Sequence, residues 1–513
     1  MPLRQIKSGS PDLGAAWGAT NRTYPDQATR TVRGDGDGVG FIGGIIHDFI
    51  SYNHTMRFDF GQLLQSKLST RDHQLLRGVA AEAESRGLPI YLVGGLLRDL
   101  ALGVPVTDLD LVVEGDAIGF ARALAAKFGG KVVTHAKFGT AKWTLSPLAA
   151  PRAGAHSGTG PGAAHRDHID LISARSEKYH RPGQLPRVNP GGIDDDLRRR
   201  DFTINTLALR LDEPHFGELH DPFGARADLD RGIVRVLHPK SFLDDPTRMY
   251  RAVRYEMRYG FKMAPETLGL IEPARDHVPA LSAQRVRHEL DLILAEDQAA
   301  AMLGRLAELD LLHPIHAALP SRRPILQKLQ DPAKPRGVND SPDVRWLLWL
   351  VGLTAPQIRS INRRLHFRRG LLEAILAAAA LLREGPRLLR WKPSKLTPCL
   401  DKLPLLAVQG ACQGATNARV RDMLQEYLSR WRELKPFTTG KVLKAHGLAP
   451  GPVYRIILAE LRSAWLDGSV ASRADEKKQL EILLRRFHPG AKQSGLAPLH
   501  ASRDRVRGAP GRS

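Results

Sequence analysis

The hydrophobic pattern of the chain changes near residue 195, and this change constrains the fold more than any other sequence feature. Before it, short apolar runs at 89–95 and 108–113 suit strands, and they alternate with a helical pattern at 117–129. After it, apolar residues recur at spacings of three and four, as they do at 244–260. The pattern predicts an α+β fold: a small α/β head, built as a mixed sheet with flanking helices, is followed by a long all-helical neck, body and tail. Two further strands are expected in the head, one at each of 131–145 and 168–175.

Composition divides the chain further. Residues 1–55 lack sustained periodicity and are predicted to be a disordered extension, which leads to the hypothesis that Met56 is the real start. A stretch rich in Gly, Ala and Pro at 145–167 is expected to form a flexible insertion in the head, and the basic end at 488–513 is expected to be disordered. The boundaries predicted between these segments are 56–211 for the head, 212–300 for the neck, 301–400 for the body and 401–487 for the tail.

Charge and cysteine content narrow the class of protein. The formal net charge of +21 favours a polyanionic partner, for which RNA, DNA and an anionic membrane all qualify. Only two cysteines are present, which excludes a disulfide framework and suits a reducing, cytoplasmic location. No apolar run approaches the roughly 20 residues of a membrane span, so no membrane-spanning segment is expected, and no membrane partner is predicted.

Gly94 and Gly95 end one predicted strand and open a helix. Glycine allows the backbone to approach a phosphate closely, and a helix N-terminus offers free N–H groups with a partial positive charge. Arg98 lies one turn into the helix, where its guanidinium could reach the same anion. A tight strand-to-helix turn without a ligand is the alternative interpretation of the glycine pair.

Asp108 and Asp110 begin the next predicted strand, thirteen residues after Gly95. Because side chains alternate along a strand, both carboxylates are expected on one face, while Leu109 points into the core. A third carboxylate, Asp170, lies on another predicted strand. Three carboxylates beside a phosphate-binding turn suit hard cations such as Mg²⁺ and predict a two-metal site for phosphoryl transfer. A solvated strand end remains the alternative for the first two.

Several blocks in a fixed order, taken together, resemble the class II (bacterial-type) tRNA nucleotidyltransferases and poly(A) polymerases. They are LVGGLLRD at 92–99 with the DLD at 108–110, IDLISARSEKY at 169–179, RRRDFTIN at 198–205, HDPFGARADLDRGIVRVLHP at 220–239, DDPTRMYR at 244–251, and TGK and GLAPGP at 439–441 and 447–452. The resemblance implies an enzyme with catalytic, metal-holding Asp108, Asp110 and Asp170. It also implies Mg²⁺ as cofactor, CTP and ATP as substrates, and the tRNA 3′ end as partner.

The same resemblance assigns roles to the block at 198–205. Asp201 is expected to contact the ribose hydroxyl of an incoming nucleotide, and Arg200 and Asn205 are expected to help hold it. It also makes the neck the part that recognises the base and the tail a part that binds tRNA. Without the resemblance, the alternative interpretation of this block is the beginning of a helix rich in basic residues, with Asp201 in an ion pair at the surface.

The block at 244–251 suggests how a base could be selected without a template. Asp245 and Arg248 are spaced to share a helix face. A carboxylate only accepts hydrogen bonds and a guanidinium only donates them. Cytosine and adenine both present an amine beside an acceptor nitrogen, whereas uracil and guanine present a carbonyl in place of the amine. The pair is therefore expected to admit C and A and to reject U and G.

Pro246 leaves a second interpretation of this block open. Proline favours the first position of a helix, so Asp245 could instead be an N-cap whose carboxylate binds backbone N–H groups. Arg251 and Arg254 continue the helix and either line the nucleotide pocket or lie on a solvated side.

The sequence leaves the product open as well. Addition of CCA, of CC only or of A only, and poly(A) synthesis all fit the same blocks. An inactive RNA-binding protein is the alternative from another class, and the presence of all three carboxylates and both base-reading residues argues against it.

Overall fold

The computed structural model describes residues 60–104, 109–145, 167–322, 326, 329 and 341–487. The expectations for 1–55, Met56, 488–513 and nearly all of the insertion at 145–167 therefore fall outside the described residues. The two residues that flank the insertion are described, and Leu145 N donates to Asp167 O over 2.8 Å. Among the described helices, none combines the length and apolar character needed to cross a membrane.

A mixed sheet forms the centre of the head, as predicted. Its strands run in the order β3-β4-β5-β2-β1-β8-β9, and β2 and β5 form a parallel pair among antiparallel neighbours. The strands are β1 Ile90–Val93, β2 Asp110–Val113, β3 Lys131–His135, β4 Thr140–Thr144, β5 His168–Ser173, β6 Arg175–Lys178, β7 Arg187–Pro190, β8 Ala208–Arg210, β9 Leu219–His220, β10 Ile233–Val234 and β11 Lys262–Met263. Strands β6 and β7 form a separate hairpin, and β10 pairs with β11.

Helices flank this sheet and make up most of the rest of the described chain. Those of the head and its continuation are α1 Phe60–Lys67, α2 Thr70–Glu84, α3 Gly95–Ala101, α4 Ala117–Phe128, α5 Ile193–Arg198, α6 Ala225–Asp230, α7 Ser241–Asp244, α8 Thr247–Arg258, α9 Pro265–Gly269, α10 Ile271–Ala274, α11 Ala283–Ala295 and α12 Ala299–Glu308. The later ones are α13 Pro342–Leu350, α14 Ala355–Leu365, α15 Arg369–Leu388, α16 Pro393–Leu400, α17 Leu405–Gly414, α18 Ala418–Glu426, α19 Gly440–Ala445, α20 Pro452–Leu466 and α21 Arg473–Phe487.

The two faces of the sheet pack against different cores. Leu92, Leu111 and Leu171 belong to a large apolar cluster that continues through α8 and α11 into the later helices, as far as Leu466 of α20. On the opposite face, Val112 packs in a smaller cluster to which α5 contributes Ile193 and Leu197. Asp110 lies on the same face as Val112 because side chains alternate along β2. Strands β2 and β5, which carry Asp110 and Asp170, are therefore held against the helical region by one continuous apolar core.

Two expectations about secondary structure are wrong. The stretch 131–145 is not one strand but the hairpin β3–β4, which turns through a short 3₁₀ helix at Ala136–Phe138 and through Gly139 at φ +61°. The chain is not purely helical after residue 195 either, because β8 and β9 join the head sheet beside β1. Strand β9 pairs with β8, and β8 pairs with β1, which is more than a hundred residues earlier in the chain. Local hydrophobic periodicity does not reveal such a long-range pairing.

Helices α19, α20 and α21 form a separate small apolar core. One buried carboxylate connects α21 to α20 and to the segment before α19. Glu476 of α21 accepts hydrogen bonds from the backbone N–H groups of Phe437 and Thr438, from the Thr438 hydroxyl and from the Trp465 indole. Burial by itself would raise the pKa of Glu476, but these donors outweigh it and lower the pKa below its usual value. The carboxylate therefore stabilises the tail above the pKa of the unfolded chain and loses that effect as pH falls through the lowered value.

We expect Glu476→Gln to destabilise α20 and α21 by about 1–3 kcal/mol at pH 7, because it removes a charge from buried hydrogen bonds. Hydrogen exchange of the amides in these helices is the measurement, and the difference from the unaltered protein should shrink at acid pH. Glu481→Gln, an exposed change on the same helix, is the matched control. Equal protection in the two variants at pH 7 would contradict the assignment.

Candidate active site

Three polar side chains form a row across neighbouring strands of the head sheet. Asp110 of β2 is the register partner of Asp170 of β5, and Asp170 is in turn the partner of Lys142 of β4. Residues that are directly opposite each other share a face, so the row projects from one side of the sheet. Lys142 Nζ lies 3.1 Å from Asp170 Oδ2, which is partly exposed. The structure thus brings together two of the three predicted carboxylates, while Asp108 lies outside the described residues.

The donor set of this row suits a hard cation. Carboxylate oxygens are the ligands that Mg²⁺ prefers in proteins. A cationic group, the Lys142 ammonium, is held against Asp170. No cluster of three or more metal-ligating residues is formed by the described residues alone, since the predicted third carboxylate is not among them.

The glycine turn packs directly against the block at 198–205. Gly94 has φ +72°, and helix α3 begins at the next residue. A Cβ at Gly94 would lie 2.4 Å from Arg200 Nη1. Both the backbone conformation and the close approach of a guanidinium therefore require glycine here.

Arg98 is buried between two aromatic rings rather than open to solvent. Its guanidinium carbon is 5.1 Å from the centroid of the Tyr255 ring and 5.0 Å from that of Tyr259, both on or next to α8. It donates hydrogen bonds to the Asn205 side-chain oxygen and to Asp99. Burial by itself would lower the pKa of Arg98, but the two tyrosines and Asp99 more than offset this and raise it. Arg98 thus joins α3 to α8, and its contact with an anion stays a prediction.

A buried carboxylate orders the arginines that precede Asp201. Asp196 of α5 is fully buried and accepts hydrogen bonds from Arg199 and Arg200. Arg200 also donates to the Asn205 backbone carbonyl over 3.2 Å. These contacts hold Arg200 against the glycine turn.

Asp201 is buried and is shared between two elements. Its Oδ1 accepts from Asn205 Nδ2 over 2.8 Å and from Phe202 N over 2.9 Å, and its Oδ2 lies 2.7 Å from Arg251 Nη2 of α8. Burial by itself would raise the pKa of Asp201, but Arg251, Asn205 and Arg248 together outweigh it and keep the pKa low. The carboxylate is therefore ionised at neutral pH. This is not the surface ion pair of the alternative interpretation, since Asp201 is only 5% exposed.

Asp245 is an N-cap that uses only one of its two oxygens. Helix α8 begins at Thr247, and Asp245 lies before it in an extended conformation. Asp245 Oδ1 accepts from Thr247 N over 2.9 Å, from Thr247 Oγ1 over 2.6 Å and from Arg285 Nη2 over 2.6 Å. Within the part of the chain that the structure describes, Oδ2 makes no hydrogen bond or ion pair.

Arg248 is held by contacts of its own. It is buried and donates to Ser241 Oγ over 2.7 Å and to the Arg199 carbonyl over 2.8 Å. The expectation that Asp245 and Arg248 share one helix face is wrong, because Pro246 sets the start of the helix after Asp245. The two residues remain neighbours across the first turn, where Arg248 N donates to Asp245 O over 3.0 Å.

Buried polar atoms without hydrogen-bond partners gather around α8. Seven such side-chain atoms occur in the described residues, and five of them belong to one neighbourhood: Arg200 Nε, Arg251 Nε, Arg254 Nε, Glu289 Oε2 and Asp201 Oδ2, whose ion pair with Arg251 does not have hydrogen-bond geometry. Burial raises the pKa of Glu289 most strongly, and Arg251 and Arg254 oppose this only in part. Buried polar groups are rarely left unpaired in a native protein without a ligand or another functional reason. The neighbourhood is therefore the candidate place for a polar ligand.

Four residues of the site escaped the sequence analysis: Lys142, Asp196, Arg285 and Glu289. Lys142 lay within a stretch interpreted as one strand, so its register with Asp170 could not be inferred. Asp196 was one of three consecutive aspartates, and no local signal distinguishes the buried one. Arg285 and Glu289 are four apart on α11, a spacing that places them on one helix face but also suits an ordinary solvated pair.

Comparisons with known proteins identify relatives over most of the chain. Residues 90–235 match the family model described as the poly A polymerase head domain. Residues 260–321 match the model described as the probable RNA and SrmB-binding site of polymerase A. Both matched segments carry residues of the site described above.

Individual relatives extend the match. The chain is 30% identical to an A-adding tRNA nucleotidyltransferase of Halalkalibacterium halodurans over 80% of this chain and 93% of that protein. It is 33% identical to an A-adding tRNA nucleotidyltransferase of Geobacter sulfurreducens over 79% of this chain, but spans only 46% of that longer protein. The solved structure of the Thermotoga maritima CCA-adding enzyme complexed with tRNA superposes with a TM-score of 0.62 at 26% identity, over 83% of this chain and 98% of that one.

The glycine turn yields a test that needs no ligand. We expect Gly94→Ala to lower the thermal stability of the head more than Gly87→Ala does. Positive φ in the left-handed region costs an alanine about 1–2 kcal/mol, but Gly94 also has ψ −125°, outside that region, whereas a Cβ at Gly87 meets nothing within 4 Å. Collision with Arg200 adds to the cost at Gly94 only. The measurement is the unfolding temperature of each variant, and equal losses would refute the requirement for glycine at this turn.

Proposed function

The chain belongs to the tRNA nucleotidyltransferase and poly(A) polymerase family, and we propose that it adds C and A residues to the 3′ end of tRNA, completing CCA from CTP and ATP without a template and with release of pyrophosphate. The observation that carries this proposal is the neighbourhood of charged side chains between the block at 198–205, α8 and α11, in which five buried polar atoms make no hydrogen bond. A nucleotide brings the hydrogen-bonding groups that such atoms lack.

Nucleotidyl transfer in this family uses a divalent metal ion, and we propose Mg²⁺, held by Asp108, Asp110 and Asp170. Bound there, it would promote attack by the 3′-hydroxyl and neutralise charge that develops at the α-phosphate. The shared face of Asp110 and Asp170 supports a metal cation at this place. Lys142 offers a further positive charge at the same edge.

The glycine turn and the block at 198–205 are proposed to hold the triphosphate and sugar. Gly94 donates its N–H to the Leu207 carbonyl, so the N–H groups suited to a phosphate are those from Gly95 onward at the start of α3, and Arg200 is fixed against this turn by Asp196. The ionised carboxylate of Asp201 accepts a hydrogen bond from a ribose hydroxyl, which favours ribonucleotides. Asn205 and Arg251 keep that carboxylate in place. Arg98 positions Asn205, and Arg254 is proposed to line the nucleotide pocket.

Base selection is proposed to rest on Asp245 and Arg248. The Oδ2 atom of Asp245 is left to accept the exocyclic amine of C or A. Each terminal nitrogen of Arg248 makes one hydrogen bond within the protein and retains a second hydrogen for the acceptor nitrogen of the base. Uracil and guanine would set a carbonyl against the carboxylate and leave both groups unpaired, at a cost of about 1–3 kcal/mol.

The helical tail is proposed to bind tRNA, as part of a chain whose large positive charge suits a phosphate backbone. A cytoplasmic site of action is proposed on the low cysteine content. Poly(A) synthesis and an inactive RNA-binding role are less favoured, because the relatives act on tRNA 3′ ends and the site is intact where it is described.

The product assay decides how many nucleotides are added. A tRNA lacking its 3′ CCA is incubated with CTP, with ATP, or with both, and the products are sized and sequenced. We expect CTP alone to give CC, both together to give CCA, and UTP or GTP to be used at least about 10-fold less well, the factor that corresponds to ~1.4 kcal/mol of discrimination. Equal use of UTP would contradict base selection by Asp245 and Arg248.

Substitution of the carboxylates tests the catalytic assignment. We expect Asp110→Ala and Asp170→Asn each to lower the rate of 3′ extension by at least about 10³-fold, a loss comparable to removal of one strong electrostatic contribution to catalysis, with tRNA binding retained. Asp167→Asn, just before β5 and exposed, is the matched control. Extension by either variant at the unaltered rate would exclude these carboxylates from catalysis.

A further inference from the structure

Arg285 of α11 bridges two parts of the protein that lie far apart in the sequence. Its Nη1 donates to the Gly183 carbonyl over 2.7 Å, and its Nη2 donates to Asp245 Oδ1 over 2.6 Å. The Asp245 side chain is 17% exposed and that of Arg285 is 25% exposed, so the ion pair is largely shielded from water. A shielded, charge-assisted hydrogen bond fixes geometry more firmly than a surface ion pair does.

The Gly183 end of the bridge is the turn of the β6–β7 hairpin. Gly183 has φ +73°, and its N–H donates to the Asp244 carbonyl over 3.3 Å. The hairpin turn therefore contacts the segment before α8 directly and, through Arg285, also contacts the side chain of Asp245. Three elements, the hairpin, the start of α8 and the first turn of α11, meet at one guanidinium.

We infer that Arg285 is a positioning residue for base selection. Three donors hold Oδ1 of Asp245, and Arg285 is the only one of them from outside the first turn of α8. It restricts rotation of the carboxylate, so that Oδ2 keeps one direction toward the base. This inference rests on the proposed function, because it concerns the role given there to Asp245.

The planar fork of arginine is needed for this role. Two donors on different nitrogens reach the Gly183 carbonyl and the Asp245 carboxylate at the same time. A lysine ammonium at this position retains the charge but lacks the preorganised fork that reaches both acceptors. Arg285→Lys should therefore preserve part of the ion pair and loosen the carboxylate.

A purely structural role makes a different prediction. If Arg285 only joins the hairpin to α11, its loss lowers stability and slows the use of every nucleotide to the same extent. If it positions Asp245, its loss changes the ratio of correct to incorrect nucleotides. The ratio is thus the informative measurement, and overall activity is not.

The experiment compares Arg285→Met, Arg285→Lys and the control Arg287→Met in the full chain. Arg287 lies on the same helix, but its guanidinium donates to the carbonyls of Leu365 and His366, away from Asp245. kcat/KM is measured for CTP, ATP and UTP on tRNA lacking its 3′ end. We expect Arg285→Met to lower the preference for CTP and ATP over UTP by about 10-fold, Arg285→Lys to lower it less, and Arg287→Met to leave it unchanged.

An unchanged ratio in folded Arg285→Met would overturn the inference. If that variant does not fold, Arg285→Lys decides the question, since it keeps the charge and its ratio must still fall. Thr247→Val removes another donor to the same oxygen and should shift the ratio in the same direction. Failure of the unaltered protein to extend tRNA with CTP or ATP would instead refute the proposed function, a result distinct from selective extension that is insensitive to Arg285.

Discussion

The hydrogen bond between Arg98 and the Asn205 side chain joins the three parts of the site. Arg98 belongs to the helix that follows the glycine turn, Asn205 to the block at 198–205, and the tyrosines on either side of Arg98 to α8 and its end. Because Asn205 also donates to Asp201, the position of the glycine turn determines that of the buried carboxylate. The parts that are proposed to bind phosphate, sugar and base are therefore set by one buried network.

Such a network adds little to the free energy of unfolding, but it fixes the positions of its side chains. Removing charges from water is costly, and attraction between the ions repays this only where hydrogen bonds satisfy both partners. Asp196 and Asp201 meet this condition on most of their oxygens, whereas Arg251, Arg254 and Glu289 keep atoms without partners. The incomplete half of the network lies on α8 and α11, the two helices that also carry Arg248 and Arg285. The free-energy cost of removing these groups from water is met when the protein folds, so a ligand that supplies their missing hydrogen bonds binds more tightly.

Local sequence signals predicted the parts of the structure that depend on local physics. Alternation along 108–113 correctly placed Leu109 in the core, and helical spacing predicted α4 and α8. Contacts between distant segments were not accessible in this way. Lys142 meets Asp170 across 28 residues and Arg285 meets Asp245 across 40, and neither pair leaves a periodic pattern. Pro246 was the one local signal that competed with the predicted helix face, and it correctly indicated where α8 begins.

The cap at Asp245 and its proposed role in reading the base are compatible because a carboxylate has two equivalent acceptors. Oδ1 satisfies the start of α8 and Arg285, and Oδ2 is left for a ligand. An amide side chain could not divide its roles in this way, since its single oxygen would serve the cap and its NH₂ group would present a donor to the base. The residue at this position is thus constrained twice, by the start of the helix and by the need for a second acceptor. A residue committed to capping is thus still able to take the proposed role of discriminating between an amine and a carbonyl.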